Sequence, residues 1–477
     1  MNSEKTTTTP AILSWLGIPY ATAKRFHRPV LLPFNPDLRY DQKGPAPLQA
    51  GDTSWLEAEN GLSEDCLNLN IWSPKDAGNE LLPVIVYIFG GGFEMGSNTQ
   101  TTSNLSGLAA TGRVIGVSIN YRLGPLGWLS LSQYGGKFSN ATNLGLQDII
   151  TALKWIQKNI SRFGGDPRNV TVTGHSAGGF SATALLSAPA AEGVFRRLAP
   201  FSGGASRIVP AWWAEELAYR FLNELGIQDD PEQLYKIDAK VLAETLIGIT
   251  PRDIGDKNGI DNTTTGIVDD HSQPGAVLTG TPLESLKSGK HRDIDILFST
   301  AKHEGDWWVI NAPEKFDPGT IENLVGELVE KSRIPRSRAQ SIIDAYNINE
   351  RRPLEVRGAF LTDYLYTLPA ARAALAHADA GGKAYILNVG SVEGAHAVHG
   401  TEMYGIVGQG CPGQSDEQAI RDTFVRDALL NFAEGAHDQL WDPVTTEPIS
   451  YGIGNQPSDP TAYAMHVLEI FKGIERP

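Results

Sequence analysis

The chain has 477 residues, 41% of them hydrophobic, which is ample for a large buried core. Its 40 basic and 55 acidic residues leave a net charge of −15, which argues against nucleic acid or an anionic membrane as the main partner, since both need a basic surface. No apolar run is long enough to span a bilayer, and two cysteines, Cys66 and Cys411, exclude a disulfide framework or a multi-cysteine metal site.

The chain opens with MNSEKTTTTPAILSWLG, which lacks the basic segment, apolar stretch and small-residue cleavage site of a secretory leader. A cytoplasmic location is therefore expected, and five Asn-x-Ser/Thr sequons, Asn104 and Asn140 among them, read as chance. The Thr6 to Thr9 run reads as a frayed end. Strand-like runs follow at Asn68 to Trp72, Pro83 to Phe89 and Val114 to Tyr121. The longer ones are rich in Val and Ile without clean alternation, as expected of strands covered on both faces. From Asn143 to Ser161, Leu146, Ile149, Ile150, Leu153, Ile156 and Ile160 share one helical face. Asn169 to Thr173 is again strand-like, Trp212 to Gly226 helical, Asp293 to Thr300 strand-like, Ile321 to His377 helix-rich, and Lys383 to Val389 strand-like. Alternation of this kind predicts an α/β fold, with a mostly parallel sheet flanked by helices. No linker interrupts it, so residues 1–477 read as one domain. The segments from about Ala211 to Asp270 and after Glu314 read as helical excursions around the sheet.

Chemistry enters at VTVTGHSAGGF, residues 170–180, where Ser176 sits in Gly-x-Ser-x-Gly. The pattern is short and common, so its context decides. A strand leads into it and a helix reading AGGFSATALLS leaves it. That strand–turn–helix setting strains the backbone at the serine and requires small neighbours, while the helix start offers free N–H groups. Earlier, YIFGGGFEMG places Gly91 and Gly92 after a buried strand. Without Cβ atoms, their amides can approach a ligand oxygen, and with Ala177 they make three candidate donors to an oxyanion. The loop lacks the Gly-Lys-Ser/Thr ending of a phosphate cradle and the spacing of a dinucleotide site.

Taken in order, GIPYA, SEDCLNLNIW, GGGF, NYRLGPLGW, NLGLQD, FGGDPRNVTVTGHSAGG, HEG and HGTE cover most of the chain and resemble the type-B carboxylesterases, the cholinesterase-like group of α/β-hydrolases. The resemblance implies an α/β-hydrolase fold, a small-molecule ester substrate and no cofactor. It also implies a nucleophile, acid and base in that chain order. Glu304 follows the strand-like Asp293 to Thr300 and matches the family's acid; Asp269 and Asp270 are rivals that the family places on another loop. His399 in His-Gly-x-Glu matches the base, with His396 three residues away as its competitor. No histidine shows zinc-type spacing, so no metal is expected.

Departures from the family are informative. His175 stands where relatives usually carry an acid before the serine, so a cationic substrate is disfavoured; it is placed too close in sequence to serve Ser176 well as base. Cys66 matches one half of a family disulfide whose partner is missing, and the short stretch from Gly17 to Cys66 implies a more open mouth. Both cysteines read as unpaired, and Arg25 as the arginine of the N-terminal motif. Phe93, His175, Trp212, Trp213, Trp307 and Trp308 are the candidate pocket residues, which points to a neutral, largely apolar ester or lactone. Acyl transfer or lactone formation would share the same acyl-enzyme. A non-catalytic binding protein of the family would usually lack the serine or histidine.

Overall fold

The computed structural model describes residues 11–474 apart from 77, 79, 251–264, 274, 437–438, 446–449 and 454–459. The Thr6 to Thr9 run lies outside the described residues.

Nine strands form the main sheet: β1 (Ile12–Pro19), β2 (Asn68–Pro74), β3 (Leu82–Ile88), β4 (Ile115–Ile119), β5 (Gly165–His175), β6 (Arg197–Phe201), β7 (Asp295–Ala301), β8 (Ala384–Val389) and β9 (Ser450–Ile453). Their spatial order is β1-β2-β4-β3-β5-β6-β7-β8-β9. From β4 to β9 every pairing is parallel, whereas β2 runs antiparallel to both β1 and β4. The central strands are buried along almost their whole length, which explains why they read as unbroken apolar runs. The edge strand β1 is half-exposed, and nothing in its sequence singled it out. A further two-stranded parallel sheet pairs Ile208–Pro210 with Ile267–Asp269, so the segment expected as a helical excursion from about Ala211 to Asp270 also carries a strand.

The amphipathic run expected from Asn143 to Ser161 is α1 (Leu144–Asn159), ending in a 3-10 turn at Ile160–Phe163. Its predicted apolar face, from Leu146 to Ile160, is buried against the sheet. Family motifs meet here as scaffold. Arg122 makes a two-pronged pair with Asp148 of α1, at 2.8 Å on each prong, and donates to His27 O. Arg25 pairs with Glu64 and donates to the carbonyls of Leu234 and Ile237, tying the N-terminal segment to the helical excursion. Cys66 and Cys411 are unpaired; burial pushes the Cys66 thiol up, so it stays protonated. Among the described residues no helix is long and apolar enough to cross a membrane.

Candidate active site

Parallel strands deliver their C-terminal ends to one edge of the sheet, and the loops leaving that edge build the site. β5 ends at His175 and α2 (Ala177–Ala184) begins one residue after Ser176. Ser176 has φ 55° and ψ −121°, a strained turn that costs roughly 1–3 kcal/mol and persists only where its surroundings enforce it. They do: Ser176 N donates to Phe201 O at 3.0 Å, and Phe180 N to Ser176 O at 2.9 Å. The flanking glycines leave no space for side chains. A Cβ on Gly174 would lie 2.6 Å from the Gly178 carbonyl carbon, and one on Gly178 would collide with Ile88 O.

The loop after β3 runs against this turn. A Cβ on Gly90 would lie 2.6 Å from His175 O and 3.1 Å from Ser176 Cβ. Gly91 and Gly92 both have positive φ, at 117° and 64°. The amides of Gly91, Gly92 and Ala177 donate to no acceptor among the described residues, and the space beside Gly92 is open.

Glu304 lies three residues beyond β7 and is fully buried. Its Oε1 accepts from Ala301 N at 2.8 Å and Ser202 Oγ at 2.6 Å. Its Oε2 meets His399 Nδ1 at 2.6 Å. Burial pushes the Glu304 carboxyl up while those two donors pull it back. Glu402, also fully buried, shares Ser202 Oγ at 3.4 Å and is pushed up by burial and by Glu304. His399 reaches the site on the loop after β8 and its side chain is 12% exposed. Its ring packs against His175 at 4.6 Å, Trp308 at 5.0 Å and Tyr366 at 5.0 Å between centroids. Burial and then the nearby Arg207 guanidinium pull the imidazolium down. Among the described residues no hydrogen bond joins Ser176 Oγ to His399; such bonds are often long without substrate and tighten in the complex.

The structure separates the rivals. Asp270 is consumed by the amides of Val277 and Leu278 and by the side chains of Thr142 and Asn143. Asp269 is bonded to His271 at 2.6 Å. His396 is turned to Asp306 at 2.7 Å rather than to Glu304. Around that contact His303, Asp306 and His396 bring one donor atom each within 4.8 Å of one another. Spacing along the chain does not reveal groups that meet only in the fold.

The candidate pocket residues divide. His175 and Trp308 pack against His399, and Phe93, which follows the glycine loop, is buried against Trp128 and Arg207, whereas Trp212, Trp213 and Trp307 make no ring contact with His399 among the described residues. Trp212 is 59% exposed and rests on Trp213, which packs in a separate cluster with Val209, Ala214 and Val268. Trp307 is 47% exposed. Successive residues on a helix point about 100° apart, so Trp308 on the short helix Asp306–Asn311 can face His399 while Trp307 faces solvent. Four residues at the site escaped the sequence reading: Ser202, Glu402, Arg207 and Tyr366. Tyr366 lies on a π-helical turn, Asp363–Thr367, set between the helices Pro353–Thr362 and Leu368–Asp379, an irregularity frequent at functional sites. Glu402 was legible only as the last letter of His-Gly-x-Glu.

A sheet of this topology, carrying a strained serine turn opposite a buried glutamate–histidine pair, defines an α/β-hydrolase fold with serine-hydrolase character. The chain belongs to the carboxylesterase family, whose model matches residues 2–463, and it is a carboxylic ester hydrolase. It is 35% identical to a para-nitrobenzyl esterase of Bacillus subtilis over 377 residues, covering 77% of this chain and 72% of that one. It is 31% identical to carboxylesterase 5A of Felis catus over 394 residues, covering 78% and 69%. Among solved structures, a PNB esterase superposes with a TM-score of 0.80 at 29% identity over 97% of both chains. A carboxylesterase of Geobacillus stearothermophilus superposes at 0.81 with 27% identity, covering 98% and 97%.

Proposed function

We propose that the chain hydrolyses small-molecule carboxylic esters through an acyl-enzyme on Ser176, with His399 as base and Glu304 as the acid that holds it. The observation that carries this reading is the 2.6 Å Glu304–His399 hydrogen bond, with Glu304 fully buried. It occupies Nδ1 and leaves Nε2 as the nitrogen that can take a proton. Ser176 Oγ attacks the ester carbonyl as its proton passes to His399 Nε2. The carbonyl oxygen gains the negative charge and lies against the amides of Gly91, Gly92 and Ala177. The carbon–oxygen bond to the alcohol then breaks, with His399 returning the proton to the leaving oxygen. Water repeats the sequence to release the acid. Each oxyanion donor contributes about 3–4 kcal/mol of transition-state stabilisation in comparable sites.

Phe93, Trp308 and Tyr366 supply an apolar wall for part of the substrate. Position 175 brings an imidazole rather than a carboxylate, and burial keeps it neutral, which supports discrimination against cationic esters. The expected neutral ester must be weighed against a buried guanidinium beside the site, Arg207. The triad comes from three distant segments of one chain, which supports reading residues 1–477 as one catalytic unit.

Hydrolysis of p-nitrophenyl butyrate by the wild type and by Ser176→Ala tests the reading. We expect the variant to lose on the order of 10⁴-fold in kcat, and a phosphonate ester to label Ser176 stoichiometrically. Equal turnover by the two proteins would move the nucleophile elsewhere.

A further inference from the structure

Five arginines are buried among the described residues: Arg122, Arg197, Arg207, Arg357 and Arg421. Four have a carboxylate partner: Asp148 for Arg122, Asp295 for Arg197, Glu327 for Arg357 and Asp422 for Arg421. Arg207 has none. It is 9% exposed, and its Nη2 is wholly buried without a hydrogen-bond acceptor. No ion pair or hydrogen bond to its guanidinium exists among the described residues. A guanidinium is always charged and presents five donors in a planar fork, so burying one without an acceptor is unfavourable.

Its place is specific. The guanidinium lies 5.6 Å from the ring of Phe93 and 5.6 Å from that of Phe180. Phe93 directly follows Gly91 and Gly92, and Phe180 lies one helical turn beyond Ser176. Two aromatic rings against the guanidinium stabilise the cation but accept no bond along its plane, so Nη2 is still without an acceptor. The backbone at Arg207 is itself strained, with φ 62°, and leads directly into the strand Ile208–Pro210, where Ile208 pairs with Ile267. Its charge acts on His399 and Tyr366. Glu94, whose Oε1 accepts from Thr265 Oγ1 at 2.9 Å, acts on it only through space.

We infer that Arg207 is a specificity-determining residue that binds a carboxylate on one arm of the ester substrate. The inference rests on the ester-hydrolase reading above and replaces the neutral substrate expected from the sequence. In its place stands an ester with an apolar stem and an anionic end.

The test compares acids with their terminal amides, which match them in shape and differ in charge. For the acyl arm the probes are p-nitrophenyl hydrogen dicarboxylates from succinate to suberate; for the alcohol arm, acetyl esters of ω-hydroxyalkanoic acids. Non-enzymatic hydrolysis is subtracted. We expect at least one chain length at which the wild type favours the acid over its amide by about 10-fold or more in kcat/KM, the size of one charge-assisted pairing. Arg207→Gln should bring that acid-to-amide ratio to about one, and Arg207→Lys should keep part of it. The ratio cancels any loss common to both substrates. Amides equal to or better than acids at every length, or a ratio unchanged in Arg207→Gln, would overturn the inference. So would hydrolysis of p-nitrophenyl butyrate with rejection of every acid. If the wild type hydrolyses none of these esters, the ester reading fails. Calorimetric titration with the free dicarboxylates then decides on Arg207 separately: binding that Arg207→Gln abolishes supports anion recognition, and no binding overturns it.

Discussion

His399 draws its properties from burial rather than from its sequence neighbours. Removal from water disfavours the imidazolium, Arg207 adds to that effect, and the pKa falls to about 3. The working form of the base is the neutral one, so activity is lost as pH falls through this pKa and retained above it. We therefore expect the acid limb of kcat/KM to lie well below the ordinary histidine value of about 6.5, with any change near pH 8 belonging to the Glu304–Glu402 pair, which burial pushes up to about 8. Arg207→Gln removes a positive charge and should move the limb upward. A wild-type limb at or above 6.5 would show that ionised Glu304 dominates the pair. Ser202 and Glu402 are further details at this scale. One hydroxyl links two buried carboxyl groups, and like charges that close cannot both ionise freely.

The elements position these groups through close backbone approach. α2 packs against the ends of β3 and β6 because Gly178 and Gly179 present no side chains to Ile88 O and Phe201 O. Gly178→Ala places a methyl group where the β3 carbonyl already sits, so the helix must shift and carry the Ser176 turn with it. We expect a loss of stability of about 2 kcal/mol or more, in the range of overpacking and strain effects. Esterase activity should fall more steeply than the folded fraction. Urea unfolding and turnover measured on the same sample separate the two; a variant with wild-type activity would mean that the turn tolerates displacement. The same close approach explains why the serine motif was legible. A turn that needs glycine on both sides leaves a local record in the sequence, as does a strand buried on both faces.

Across the whole molecule, a net charge of −15 would draw cations to the surface, whereas the site holds a buried arginine and no carboxylate at position 175. The local field should win, because charges inside a low-dielectric site are screened less than those on the surface. Butyrylcholine should thus be no better a substrate than its uncharged isostere 3,3-dimethylbutyl butyrate, with a kcat/KM ratio of about one or below. A preference for the choline ester of about 10-fold or more would contradict this.

The amino-acid sequence by itself determined the parallel strands β3, β4, β5, β7 and β8, the amphipathic helix α1, the serine turn and the glycine loop, but not β6 or β9. Each rests on local requirements: burial on two faces, a 3.6-residue period, or backbone space beside glycine. Its ordered motifs also pointed to Glu304 and His399. Only the tertiary structure decided that Trp308 faces the site while Trp307 faces solvent, and that His396 turns to Asp306 rather than to Glu304. It alone brought His303, Asp306 and His396 together, and left Arg207 with no carboxylate while every other buried arginine among the described residues has one. Those outcomes depend on which distant loops meet at the C-terminal edge of the sheet, and no spacing along the chain encodes the partner a side chain lacks.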